Sequence, residues 1–480
     1  MARDLAFRMN ATSKKRYLFL FAAAVIWRLI LIFLTGNYNY FEGITVHYVR
    51  AAQYLAMGDG FVTDEPGKAE VKERQKLAGH LLEPADYPPL VEAPLDPVLG
   101  YLPGYSAWLA LFFKFGISHF LPIRTFQILL DSLACLLLVR LGACMFGEGE
   151  SLWIGWFYAL WPPLAISSIF ILADALTIPL TVVMTYCVWK AVSVPERSIC
   201  WWAAASVAVV LQCYVRPNAL LMPVFLAAVA WCTANAAWKK SFLVFSLALG
   251  ILMLSLFPWA ARNHRVTGSW IWSTASAGVN LWSALGERSN PWNAAVDDTA
   301  TREMVEAQGY RWHTPEADAF LKRRFMAALR EDPVFYASTC VLRLGKIFFA
   351  RQFWGMVPEV TAESWSQAAR EKGIAQGTMD FMRRHPGPFS ERLFNMLCQS
   401  LDWAIAGFAF VGMGRLIRLR RYDVCATASL PLVYYYAVSP VIHVEARYVL
   451  PVYVSYAILA MPVIRALWQR HFRQATPLEA

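Results

Sequence analysis

The chain has 480 residues, of which 58% are hydrophobic and only 16% charged, and it carries a net charge of +10. Apolar residues fall in long runs such as ILLDSLACLLLVRLGACMF and SFLVFSLALGILMLSLFPWAA, the length a helix needs to cross roughly 30 Å of hydrocarbon. This excludes a soluble α/β enzyme and indicates an all-α polytopic membrane protein.

The chain begins with a basic head (Arg3, Arg8, Lys14, Lys15, Arg16) followed by YLFLFAAAVIWRLILIFLTG. That apolar run is too long for a cleaved signal peptide and no small-x-small site follows it, so it reads as a signal anchor. Much of the remaining Lys and Arg flanks apolar runs: Lys239/Lys240, Arg415/Arg418/Arg420/Arg421 and Arg470/Arg473. Positive-inside bias accounts for this without nucleic acid as a partner. With these flanks taken as cytoplasmic, the pattern predicts about ten transmembrane helices near 17–36, 124–146, 151–168, 171–190, 199–215, 217–237, 241–261, 398–418, 424–441 and 447–468. Both termini then lie in the cytoplasm of a bacterial inner membrane. Cysteines sit mostly inside the apolar runs without metal-type spacing and read as packing residues.

Two shorter apolar stretches, 105–115 and 334–354, read as amphipathic helices at the outer interface, with a re-entrant segment the alternative for the second, which carries Arg343, Lys346 and Arg351 at helical spacing. Two large extracytoplasmic loops result, 37–123 and 262–397. The chain therefore divides into an N-terminal transmembrane module (1–261), the second outer loop (262–397) and C-terminal transmembrane helices (398–480). Helix signals in the second loop are Asp298 as a cap before TATREMVEAQ, and Thr314-Pro315 opening EADAFLKRRFMAAL.

This topology gives the unusual polar residues a side. Asp174 opens a span, Arg216 lies in an outer turn, Arg262 leaves a span, and His443, Glu445 and Arg447 precede the last span, all at the outer face. Ionisable groups at membrane depth cost a few kcal/mol each even on lenient scales, and they mark pathways or sites. Snorkelling anchors are the plainer reading for Arg216, Arg262 and Lys346. Several arginines and carboxylates at one membrane boundary suit a phosphate-bearing lipid, because Arg binds phosphate through paired donors and stays charged.

Six segments in order carry a resemblance: HYVRAAQYLAMGDGF, LPGYSAWLALFF, YALWPPLAISSIFILADAL, VRPNALLMP, FPWAARNHRVTGSWIWSTASAGVNLW and HVEARYVLPVYV. Together the chain resembles GT-C superfamily membrane glycosyltransferases of the family 39 type, which includes protein O-mannosyltransferases and aminoarabinose transferases. The resemblance implies an inverting transfer from a polyprenyl-phosphate-linked sugar to a glycan, lipid or protein acceptor at the extracytoplasmic face. An acidic residue opening the first outer loop would be the general base, and basic residues would stabilise the departing phosphate.

Here the chain departs from the family. The acidic positions before the Tyr48/Ala52 step hold Ile44 and Thr45. Glu42, His47, Asp86 or Asp96 remain as sources of the base. By the same resemblance, Asp174 is a donor-site or metal-site residue, Arg216 and Arg262 match outer Arg-Pro and Pro-Trp-x-x-Arg-Asn steps, and Arg447 faces lipid phosphate with His443 and with Lys346. Glu42, Asp96 and Asp174 offer the oxygen ligands that Mg²⁺ or Mn²⁺ favours, although no spacing demands a metal. A lipid or sugar transporter, an O-antigen-type polymerase or ligase, and an inactive lipid-sugar-binding relative are the alternatives.

Overall fold

The computed structural model describes residues 11–35, 42–78, 80–92, 95–233, 237–349, 389–443 and 445–475. The architecture is an all-α helical bundle with short helices gathered at one end. The long helices are α1 (Ala11–Thr35), α5 (Phe120–Phe146), α8 (Asp174–Ser193), α9 (Ser198–Val215), α11 (Trp238–Thr267), α16 (Phe389–Arg418), α17 (Tyr422–Val438) and α18 (Val452–Ala475). Between them lie α6 (Glu148–Leu160), α7 (Pro162–Ile169) and α10 (Met222–Thr233). The most extensive packing is of α8 on α9, α16 on α18 and α5 on α6.

Among the described residues, eight helices are long and apolar enough to cross a membrane, and α6 with α7 makes a ninth if the bent pair is one span. The sequence pattern predicted ten. The difference lies at proline. Pro217 follows Arg216 and holds it extended, residues 217–219 form a tight turn, and α10 keeps only 12 residues, short of a span. The predicted span 151–168 breaks at Trp161, which is extended ahead of Pro162, so that α6 and α7 meet at 51°.

A buried ion pair joins the first span to the second. Arg28 of α1 donates from Nε to the Asp131 carboxylate of α5 at 2.8 Å and from Nη1 to the Ala159 carbonyl at 2.9 Å. The Tyr158 hydroxyl donates to the second Asp131 oxygen at 2.7 Å. Both charged side chains are buried, so the network joins three helices with its donors and acceptors matched.

The first predicted loop folds into α2 (Glu42–Met57), α3 (Glu65–Ala78) and α4 (Gly104–Lys114), with a minimal antiparallel ladder between β1 (Val62–Thr63) and β2 (Asp96–Pro97). Arg50 of α2 is fully buried; it pairs with Asp64 at 2.6 Å and reaches the carbonyls of Pro88 and Pro89 at 2.7 and 3.0 Å. Gly104 lies against the end of α9: a Cβ there would stand 2.5 Å from the Tyr214 carbonyl carbon.

The second loop supplies α12 (Ala277–Leu285), α13 (Asp298–Glu306), α14 (Pro315–Glu331) and α15 (Pro333–Phe349). Thr314 caps α14 as predicted. The cap of α13 is Asp297, which accepts from the Thr299 amide at 2.9 Å, one residue before the expected Asp298. In α15, Arg343 is buried and donates to the Pro440 carbonyl at 2.6 Å, tying the loop to the turn between α17 and α18. Arg351 lies outside the described residues.

Candidate functional site

The start of α8, the end of α9 and the turn between α17 and α18 meet at one end of the bundle. Asp174 is the first residue of α8 and Arg216 the residue after α9, and the Arg216 guanidinium donates through Nη1 to Asp174. The same guanidinium lies 3.9 Å from the ring centroid of Tyr448, a stacking geometry that a lysine ammonium does not reproduce. Its remaining donors make no hydrogen bond to the described residues.

Tyr448 follows Arg447, and both hold Glu445: Arg447 Nε bonds one carboxylate oxygen and the Tyr448 hydroxyl donates to the other at 3.0 Å. Burial alone would push the Glu445 carboxyl up. Arg447, Arg216 and His443 outweigh it and hold it down at about 2. Glu445 therefore stays a carboxylate and orients the cations around it.

Next along the same wall, Glu287 takes Lys346 Nζ on one oxygen at 3.0 Å and His443 Nδ1 on the other at 2.9 Å. Ionised Glu287 only accepts, so His443 Nδ1 carries a proton. These two partners overcome burial and lower the Glu287 carboxyl to about 2. The His443 backbone amide bonds the Asn280 carbonyl at 3.2 Å, which fixes the ring's position.

The roof is aromatic. The ring of Tyr48, on α2, lies 5.4 Å from that of Tyr101 and 5.1 Å from that of Tyr105. Burial raises the Tyr48 hydroxyl, and Arg216 and Arg447 are the charges that act on it most strongly. Asp298, at the start of α13, is exposed, yet the protein around its carboxyl raises its pKa and Glu445 adds to the rise.

The structure thus brings together Asp174, Arg216, Lys346, His443 and Arg447 of the residues predicted from sequence. It places the others elsewhere. Arg262 donates to the carbonyls of Phe61 at 2.6 Å and Val98 at 3.2 Å, bracing the residues beside the β1–β2 ladder. Asp96 pairs with Arg311 at 2.6 Å. Asp86 ends the short turn Pro84–Asp86. His47 faces two lysines, and burial together with those lysines drives its pKa well below the usual histidine value. Glu42 opens α2, and its side chain lies outside the described residues.

At a position where the resembled family carries an acid, Thr45 is buried and donates to the Ile171 carbonyl at 3.1 Å, so it ties α2 to the segment leading into Asp174. Sequence reasoning missed Glu287 and Asp298 as site residues. Glu287 follows an apolar helix in a loop with no motif, and Asp298 reads as a cap.

No group of three His, Cys, Asp or Glu side chains suited to a metal occurs among the described residues. Asp174 and Asp96 are each paired with an arginine in different places. Of the three carboxylates considered as Mg²⁺ or Mn²⁺ ligands from sequence, Asp174 and Asp96 are thus engaged by different arginines, and the Glu42 side chain lies outside the described residues.

The sequence matches no family model and no curated protein. The structure is similar to an archaeal oligosaccharyltransferase, AglB from Archaeoglobus fulgidus, solved in complex with an inhibitory peptide and a dolichol-phosphate. The TM-score is 0.50 at 12% sequence identity, covering 98% of this chain and 53% of that one. The likeness shows the fold. It is an all-α, many-span architecture, as expected from the sequence, and this chain spans about half the length of the archaeal protein.

Proposed function

We propose that the protein is an integral-membrane glycosyltransferase of the family 39 type, acting at the extracytoplasmic face on a polyprenyl-phosphate-linked sugar. The observation that carries this reading is Arg216: one nitrogen is held by Asp174, its face lies on Tyr448, and its other donors are left for a ligand. A guanidinium so fixed is preorganised for the charge that builds on a departing lipid phosphate. The dolichol-phosphate bound by the archaeal protein of similar fold supports a lipid-phosphate donor.

In the proposed reaction an acceptor hydroxyl attacks the anomeric carbon from the face opposite the phosphate. The bond between that carbon and the phosphate oxygen breaks, and the lipid phosphate leaves as an anion beside Arg216 and Arg447. With Thr45 engaged on Ile171, the base comes from the second loop: Asp298 takes the acceptor proton, its affinity for protons raised by the protein around it and by Glu445. Glu287 holds Lys346 and His443 in position.

The test is consumption of labelled polyprenyl-phosphate sugars by purified protein. Arg216→Met should lower kcat/KM by roughly 10²–10³, the usual loss for one preorganised donor, and Asp298→Asn should lower kcat with little change in KM. Failure of the wild type to consume any such donor would overturn the reading.

A further inference from the structure

Beyond Tyr101 lies a second polar cluster that the reaction above does not use. His47 of α2 faces α3, where Lys68 and Lys72 stand one turn apart. Lys68 Nζ is 3.4 Å from His47 Nδ1, and Lys72 Nζ is 3.1 Å from His47 Nε2. Tyr101 separates this imidazole from that of His313, with ring centroids 5.6 and 5.9 Å away. His313 is held by Ser276 at 3.1 Å and packs on Gly100, where a Cβ would come within 2.9 Å of the ring.

Such a set has too many donors. A neutral imidazole offers one lone pair and one N–H, and an ammonium only donates. If Nε2 accepts from Lys72, then Nδ1–H points at Lys68, donor to donor; the other tautomer reverses the conflict. The carboxylates nearby are already engaged: Glu65 with Lys68 at 2.6 Å, Asp96 with Arg311 at 2.6 Å and Glu306 with Arg302 at 2.6 Å. Lys72, open to solvent, has no carboxylate partner among the described residues.

We propose that Lys72, Lys68 and His47 form a binding site for a phosphate-type oxyanion, whose oxygens accept from both ammonium groups and from the imidazole N–H. An acceptor of only hydrogen bonds resolves the donor conflict and neutralises the surplus charge. The depressed affinities of His47, His313 and Lys72 for protons agree, since burial and the Lys68/Lys72/Arg302 group act on all three. The Tyr101 ring packs on His47 and on Tyr48, between this site and the Arg216 group, and the site meets solvent at Lys72, while Lys68 is buried beneath it. It stands whether or not the function proposed above is correct.

The test uses the full-length protein in neutral phosphatidylcholine nanodiscs, with the side-chain ¹⁵N signals of His47 followed against pH. Glu65, Lys68, Lys72, His313 and Arg302 are the charges facing that ring, so a bound dianion should raise its pKa toward the usual histidine value. Inorganic phosphate is added in one arm, and phosphatidic acid is built into the nanodisc in the other. A rise in the first arm supports a site for soluble phosphate groups, and a rise confined to the second supports a lipid headgroup. Lys72→Met should weaken the effect by roughly tenfold to a hundredfold, whereas Lys239→Met, on α11, should leave it unchanged. No rise in either arm, or an undiminished rise in Lys72→Met, would overturn the proposal. Neither outcome depends on turnover of a donor sugar.

Discussion

Asp174 and Arg216, 42 residues apart in the chain, form one ion pair where α8 begins and α9 has just ended. The pair is nearly buried, with 7% and 14% of the two side chains exposed, so neither partner is fully solvated if the other is removed. Asp174→Asn should therefore leave a buried guanidinium short of its counter-ion and cost about 3 kcal/mol of stability. Arg216→Lys should keep the charge and lose the face on Tyr448. Thermal unfolding in detergent would show Arg216→Lys close to wild type in stability, while kcat/KM for a lipid-linked donor falls at least roughly tenfold. Equal activity of Arg216→Lys and wild type would remove the guanidinium geometry from the mechanism.

Glu287 gives a pH dependence with a definite sign. Its carboxyl is held at about 2 in the folded protein against an ordinary 4.5, so in that window the unfolded chain binds the extra proton. Its contribution to stability is complete above 4.5 and is lost as pH falls from 4.5 toward 2. The size is on the order of 3 kcal/mol for a shift of that extent. Glu287→Gln should flatten the acid limb of the stability curve by about 2 kcal/mol of this, as read from denaturant midpoints between pH 5 and about 3. An unchanged acid limb would mean that Lys346 and His443 do not hold this carboxylate.

Much of the fold was legible because it rests on apolar run length, which α1, α5, α11 and α18 state directly. Where the reading failed, proline was responsible: Pro162 and Pro217 break runs that hydropathy alone joins. The site was only partly legible. Asp174, Arg216, His443 and Arg447 stand out because ionisable groups at membrane depth are costly and lie here away from the basic flanks. Glu287 and Asp298 come from a loop where charge is ordinary, and only tertiary packing brings Glu287 against Lys346 and His443. Arg262 and Arg343 show the converse. Each is conspicuous in sequence, yet each is engaged on backbone carbonyls that no sequence pattern announces.

The Arg28 and Asp131 pair tests how the bundle tolerates charge. Both side chains are buried, and Tyr158 completes the network. Arg28→Met should destabilise by about 3–5 kcal/mol because Asp131 is left alone in an apolar surrounding. The double variant Arg28→Met with Asp131→Leu removes both charges and should recover most of that loss. Unfolding of the two singles and the double in one detergent gives the coupling energy. A coupling near zero would contradict the pairing.

Thr45 occupies a position where the resembled family carries its acid, which makes Thr45→Asp the natural attempt to restore a base. The structure argues against it. Thr45 is fully buried and its hydroxyl donates to the Ile171 carbonyl; an aspartate there would set a carboxylate, which only accepts, against that acceptor. The cost is the desolvation of a charge together with loss of the hydrogen bond, at least about 3 kcal/mol if the group stays ionised. The expected outcome is a less stable protein with no gain in transfer activity, because the link from α2 to the residues leading into Asp174 is broken. Turnover assays beside thermal unfolding separate the cases: higher kcat in Thr45→Asp would return the base to the first loop and take that role from Asp298.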